Sequence, residues 1–167
     1  MKLADRYLLE HVFLTVVLLL SIAGFWNLYF GEGAAPGPHQ HLHLVTNFLW
    51  LFLLACQLRL VARQDFRNHR RLGMAVLVLA PLLFASAALL SVHSAHKGLA
   101  SGRGDAMIVQ NVMTTLELGV LIVLAFVFRK RRKLHGAFLL ATALLFMGIA
   151  LFFTLIGLVP GFRIEGP

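Results

Sequence analysis

The chain has 167 residues, of which 59% are hydrophobic and 13% charged, where an average soluble domain carries about 25% charged residues. With a mean hydropathy of +0.83, a water-soluble fold of this length would leave much of its apolar surface exposed, so lipid must be part of its solvent. A net charge of +8 would fit nucleic acid on a soluble surface, but its placement along the chain excludes that reading.

A membrane-spanning helix needs about 20 mostly apolar residues, and five stretches qualify. The first, 7–30, is long for the apolar core of a signal peptide and has no A-x-A-like cleavage site nearby, so it is expected to be a retained span. His11 lies one turn into it, and Trp26, Tyr29 and Phe30 at its far end fit an aromatic belt at the membrane–water boundary. Residues 31–38 (GEGAAPGP) read as a loop whose last residue, Pro38, is well placed to open a helix. The second span, 42–61, is led by His39, His41 and His43. From His43 one face continues through Asn47, Trp50, Leu54 and Gln57, at steps of four, three, four and three. An arginine-rich turn at 63–71, which includes His69, leads to the third span, 72–92, with His93 and His96 just beyond it. The polar segment 94–105 precedes the fourth span, 106–128, which carries Gln110, Thr114 and Glu117 on one face with Asn111 and Thr115 beside it. Five cations at 129–133 and then His135 introduce the fifth span, 136–159, which Pro160 and Gly161 stop.

Orientation follows from the cations flanking the spans. Lys2 and Arg6, then Arg59, Arg63, Arg67, Arg70 and Arg71, then the run 129–133, place twelve on one side, against Lys97, Arg103 and Arg163 on the other. The N-terminus is therefore expected in the cytoplasm and the C-terminus outside, with the basic charge serving as a topology signal and an anchor to anionic headgroups. A faint duplication accompanies this: the second and fourth spans each end in a basic turn, followed by a histidine close to a glycine (His69…Gly73 and His135-Gly136) and another span. The single Cys56 makes neither an internal disulfide nor a thiolate metal site.

Polar and ionisable side chains inside spans are costly and mark functional candidates. By topology His39, His41, His43, His93 and His96 gather near the outer face, and His11, His69 and His135 near the inner one. His39 and His43 are four apart and share a helix face, as do His93 and His96, three apart. These two pairs, on antiparallel neighbours, admit three readings: a Zn or Cu ion held by His39, His43, His93 and His96; a b-type haem with His43 and His93 as axial ligands; or interfacial histidines with no ligand. Asn47 and Gln57 could orient a histidine or meet a propionate or quinone oxygen, or simply join helices. Glu117, the one acid well inside a span, fits a proton relay or a hydrogen bond to a quinone or cofactor. It fits equally a buried acid bonded to Asn47, Gln57 or a threonine. His69 and His135, with His11 at comparable depth, could hold a second haem or a quinone head, or be merely interfacial. Phosphate loops, nucleophile elbows, H-E-x-x-H, CxxC and CxxCH are all missing, so nothing points to a hydrolase or a nucleotide-driven pump.

The stretch from His43 to Gly73, with Trp50, Gln57, His69-Arg70 and Leu72-Gly73, resembles a group of small uncharacterised bacterial inner-membrane proteins with an H…W…Q…HR-x-LG pattern. More distantly, the hairpins with histidines near their ends resemble cytochrome b561-type and haem A synthase-type bundles. That likeness implies bis-histidine b-haem and quinone-linked electron transfer, carried over to His43 and His93. The chain departs from a standard b561 in having no histidine in the middle of its fourth and fifth spans, which counts against a full diheme arrangement.

The expected fold is a single-domain, all-α, polytopic membrane bundle of five transmembrane helices in the bacterial inner membrane. The leading functional expectation is a b-type haem protein, a membrane oxidoreductase if an enzyme, moving electrons between quinol and a partner. His43 and His93 would be its axial ligands, Trp50, His69 and His135 further cofactor contacts, and Asn47, Gln57 and Glu117 its proton-handling groups. The alternatives are a non-catalytic Cu- or Zn-binding or assembly subunit of a membrane complex, and a small oligomeric transporter with Glu117 and the polar stripe along its path. The expected partners are the lipid bilayer, a quinone, and other membrane subunits or further copies of the chain.

Overall fold

In the computed structural model, which describes residues 7–102 and 105–158, the chain is helical nearly throughout. The helices are α1 (Leu8–Phe30), α2 (Pro38–Ala62), α3 (Phe66–Gly73), α4 (Val76–Ser101), α5 (Asp105–Val127) and α6 (Arg132–Leu158). All but α3 are long and apolar enough to cross a membrane, so the protein is a multi-pass membrane helical bundle. The stop expected at Pro160 and Gly161 lies outside the described residues, as do Lys2, Arg6, Arg103 and Arg163.

Two spans run well past their expected ends, and the second-to-third connection holds a helix of its own. Pro38 occupies the first turn of α2, where its missing N–H costs nothing, and Gln40 Oε1 accepts from the Gly37 N–H at 2.6 Å, so His39, His41 and His43 are all helical. α4 continues through His93 and His96 to Ser101 and ends on Gly102, whose φ of 65° is the left-handed conformation that glycine adopts freely. The segment expected as an arginine-rich turn contains a short helix, α3. Asp65 caps it by accepting from the Asn68 N–H at 3.1 Å and the Asn68 side-chain amide at 2.7 Å.

The five spans close a ring in chain order: α1 packs on α2, α2 on α4, α4 on α5, α5 on α6, and α6 back on α1. α3 lies against α2 at the cation-rich end. Each span sends residues to a common core, among them Val17, Trp50, Leu83, Leu118 and Phe146. Many other large apolar side chains face outward, Leu9 at 82% and Phe52 at 69% exposure being examples. That is the arrangement expected when the solvent is hydrocarbon and cannot drive these groups inside. Small residues bring helices close: an added Cβ on Gly24 would meet the Ala150 carbonyl oxygen, and one on Gly119 would meet the Phe84 ring.

Candidate functional site

The antiparallel register of α2 and α4 decides which polar groups meet at the cation-poor end. His39 lies opposite His93, their ring centroids 3.8 Å apart. One turn deeper, His43 Nδ1 lies 3.2 Å from Ser86 Oγ, which is itself 2.8 Å from Thr46 Oγ1. The ring that faces His93 is thus His39, while His43, one turn along the same face, faces a serine. His39 Nε2 is buried and has no hydrogen-bond partner. His41 points to the other side and packs edge-on against Tyr29, with centroids 5.3 Å apart. The Tyr29 hydroxyl is likewise buried without a partner. His93 and His96 are exposed.

The stripe read along α2 faces the interior: Asn47, Trp50, Leu54 and Gln57 are all buried. Trp50 donates its indole N–H across the ring to Thr142 Oγ1 at 2.9 Å. Asn47 Oδ1 and both amide atoms of Gln57 have no partner. An unpaired buried amide is costly, so these atoms mark the places where the interior is least self-sufficient.

At the cation-rich end His69 is half-buried on α3, close enough to His135 and to the Gln57 carbonyl for both to act on its charge. Burial lowers the His69 pKa, repulsion from His135 and Arg70 lowers it further, and the Gln57 carbonyl opposes the shift. His69 Nδ1 is buried without a partner. His135 donates from Nδ1 to the Ala125 carbonyl at 2.8 Å. His11 donates from Nδ1 to the Tyr7 carbonyl at 2.6 Å. It lines an apolar groove of about 290 Å³ between α1 and α2, together with Thr15, Leu18, Phe48 and Phe52.

Every orphaned buried side-chain atom among the described residues therefore lies on α2 or on a residue beside it. Glu117 does not belong to this column. It is exposed on α5 and makes no hydrogen bond with Asn47, Gln57 or any other described residue. On that helix Gln110 Nε2 donates to Thr114 at 3.2 Å, and Thr115 lies 3.0 Å from Ser91 of α4. Ser86, Thr46, Thr142 and Tyr29 were not singled out as site residues from the sequence. The signal for the first three was available: a hydroxyl set in an apolar span commonly bonds across to a neighbouring helix.

Imidazole nitrogens suit copper and zinc, and the His39–His93 pair offers two of them from two helices. Among the described residues no three His, Cys, Asp or Glu side chains gather closely enough to hold a metal ion, so this pair would supply two ligands. Of the two histidines expected as axial haem ligands, His93 lies against His39 and His43 against Ser86. No protein-family profile, curated protein or solved structure matches the chain. Fold and site together define a five-span membrane bundle whose orphaned buried polar atoms, among the described residues, lie on its second helix or beside it.

Proposed function

We propose that this chain is a metal-binding subunit of the bacterial inner membrane, taking a copper or zinc ion at its cation-poor end through His39 and His93. The observation that carries the reading is the buried, unpartnered Nε2 of His39 set against the His93 ring. An imidazole nitrogen with no hydrogen bond is available as a ligand to copper or zinc. His43 and His96, one turn to either side on the two helices, flank the pair. Zinc prefers four ligands, so two protein imidazoles leave positions open to water or to a partner's side chain. Such a site exchanges its ion readily, which suits a subunit that passes a metal on or helps assemble a larger complex.

The test is metal analysis of the full chain purified in detergent and loaded with Cu or Zn. About one ion per chain is expected under tetrahedral or tetragonal ligation, with a several-fold weaker affinity in His39→Ala and His93→Ala. His41→Ala, which points to Tyr29, should bind as the parent does. Equal binding by the double variant His39→Ala/His93→Ala would sink the proposal.

A second reading is quinone-linked electron transfer through a b-type haem. It is favoured by the unpartnered amides of Asn47 and Gln57 and by the His11 groove, whose apolar walls suit an isoprenoid tail. Ligation by His43 and His93 would require each to leave its present neighbour. An absorption spectrum of the same preparation, oxidised and then dithionite-reduced, separates the two: a Soret and α-band with near-stoichiometric haem supports this reading, and a flat spectrum rejects it.

A further inference from the structure

We propose that the exposed face of α5 is the contact between two copies of this chain. Gln110, Met113, Glu117 and Val120 follow one another at steps of three, four and three, and so share one helix face. All four are exposed, Met113 at 58% and Val120 at 56%. Glu117 sits near the middle of the span 108–127 and has no partner among the described residues. Within hydrocarbon such a group faces protein or a water-filled cavity, not lipid. α5 is also the least covered span: 11% of its window is buried, against 22–39% for the other four. The five spans close a ring, so among the described residues no further span covers this face.

The occupant argued for is a second copy, because the face is complementary to itself. The cation bias inserts both copies in one direction, so a two-fold axis runs along the membrane normal and brings equal depths together. Glu117 then meets Glu117 of the second copy, and Gln110 meets Gln110. A side-chain amide carries both donors and acceptors, and so does a carboxyl in its acid form, so either group can bond to a copy of itself. Each polar group thus finds its match in its own counterpart, with Met113 and Val120 providing the packing between them.

Oxidative cross-linking in native membranes tests this on the full chain with Cys56→Ala as background. Met113→Cys and Val120→Cys should each give a product of twice the chain mass, and Leu89→Cys, on the exposed side of α4, should not. Adding Glu117→Leu should reduce that product several-fold, whereas Glu117→Gln, which keeps hydrogen bonding, should retain most of it. Cross-linking no stronger at 113 and 120 than at 89, or a product containing a different protein, overturns the proposal. Counting copies by single-molecule photobleaching of the unsubstituted, labelled chain gives an independent check: two steps are expected, and a single step overturns it. No histidine takes part, so the outcome is separate from that of metal binding.

Discussion

His69 shows how one side chain ties the cation-rich end to pH. It belongs to the short helix α3, outside the spans, and its surroundings come from three other elements or neighbours: the Gln57 carbonyl of α2, His135 at the start of α6, and Arg70 on its own helix. Burial leads in lowering its pKa below the usual 6.5, with His135 next. A base whose pKa is depressed in the fold binds its proton more weakly there than in the unfolded chain, so stability rises with pH across that interval. The contribution is complete above the unfolded value of 6.5. It declines as pH falls from there towards the lower folded value, below which the folded chain takes up the proton too. Thermal unfolding in detergent should accordingly show a lower midpoint at pH 5 than at pH 8, by a margin that shrinks in His69→Gln. In His135→Ala the margin should also shrink, because one of the two repulsive charges is gone. An unchanged margin in both variants would remove His69 from the account.

At the scale of elements, the tightest seam is α1 against α6. Gly24 faces the Ala150 carbonyl and Thr154 Oγ1, Ser21 is fully buried beside it, and Thr154 Oγ1 reaches the Leu20 carbonyl at 3.5 Å. This is close packing through small residues, which holds helices together when no hydrophobic force acts between them. Gly24→Ala should therefore wedge the helices apart, because a backbone carbonyl cannot swing aside as a side-chain tip can. Gly148→Ala, on α6 with nothing within 4 Å of the new Cβ, is the matched control, since both substitutions gain the same helix propensity. The difference between the two is expected to be about 1–3 kcal/mol, read from unfolding in detergent. Equal stabilities would mean that the α1–α6 approach is looser than its geometry implies.

The same scale shows what the sequence made legible. Five spans were readable because apolar length is a strong signal, and the Asn47–Trp50–Leu54–Gln57 stripe was readable because it keeps helical period. The ends were not: histidines 39 to 43 and 93 to 96 look polar, yet the helices carry on through them to the membrane boundary. α3 was hidden because its arginines resemble any cytoplasmic turn. Its eight residues are part of what sets how α2 and α4 slide past each other, so the pairing of His39 with His93 could not be read from spacing within either helix. Glu117 was open for a related reason. Outside its stripe of Gln110, Thr114 and Glu117, with Asn111 and Thr115 beside it, α5 is apolar all round, so its sequence does not say whether that stripe meets the bundle or faces away from it.

Taken whole, the molecule has one heavily charged end and one lightly charged end, and its orientation can be argued from that asymmetry. α3 exposes Arg67, Arg70 and Arg71, the α5–α6 connection adds Arg129, Lys130 and Arg131, and the start of α6 adds Arg132 and Lys133. The two groups meet: the Arg132 guanidinium stands 5.3 Å from the Phe66 ring centre, joining the start of α6 to α3. A basic platform formed this way is expected at an anionic cytoplasmic leaflet, whose headgroups attract it, and moving it across the bilayer is opposed by every one of its charges. An odd number of spans then sends the two termini to opposite sides. Single cysteines in the Cys56→Ala background test the orientation with a membrane-impermeant thiol reagent. Ala34→Cys, in the loop before α2, should label on intact cells. Lys130→Cys, between α5 and α6, should label only after permeabilisation. The reverse pattern would turn the protein over in the membrane and place His39 and His93 on the cytoplasmic side, where a metal ion would reach them from the cell interior rather than from outside.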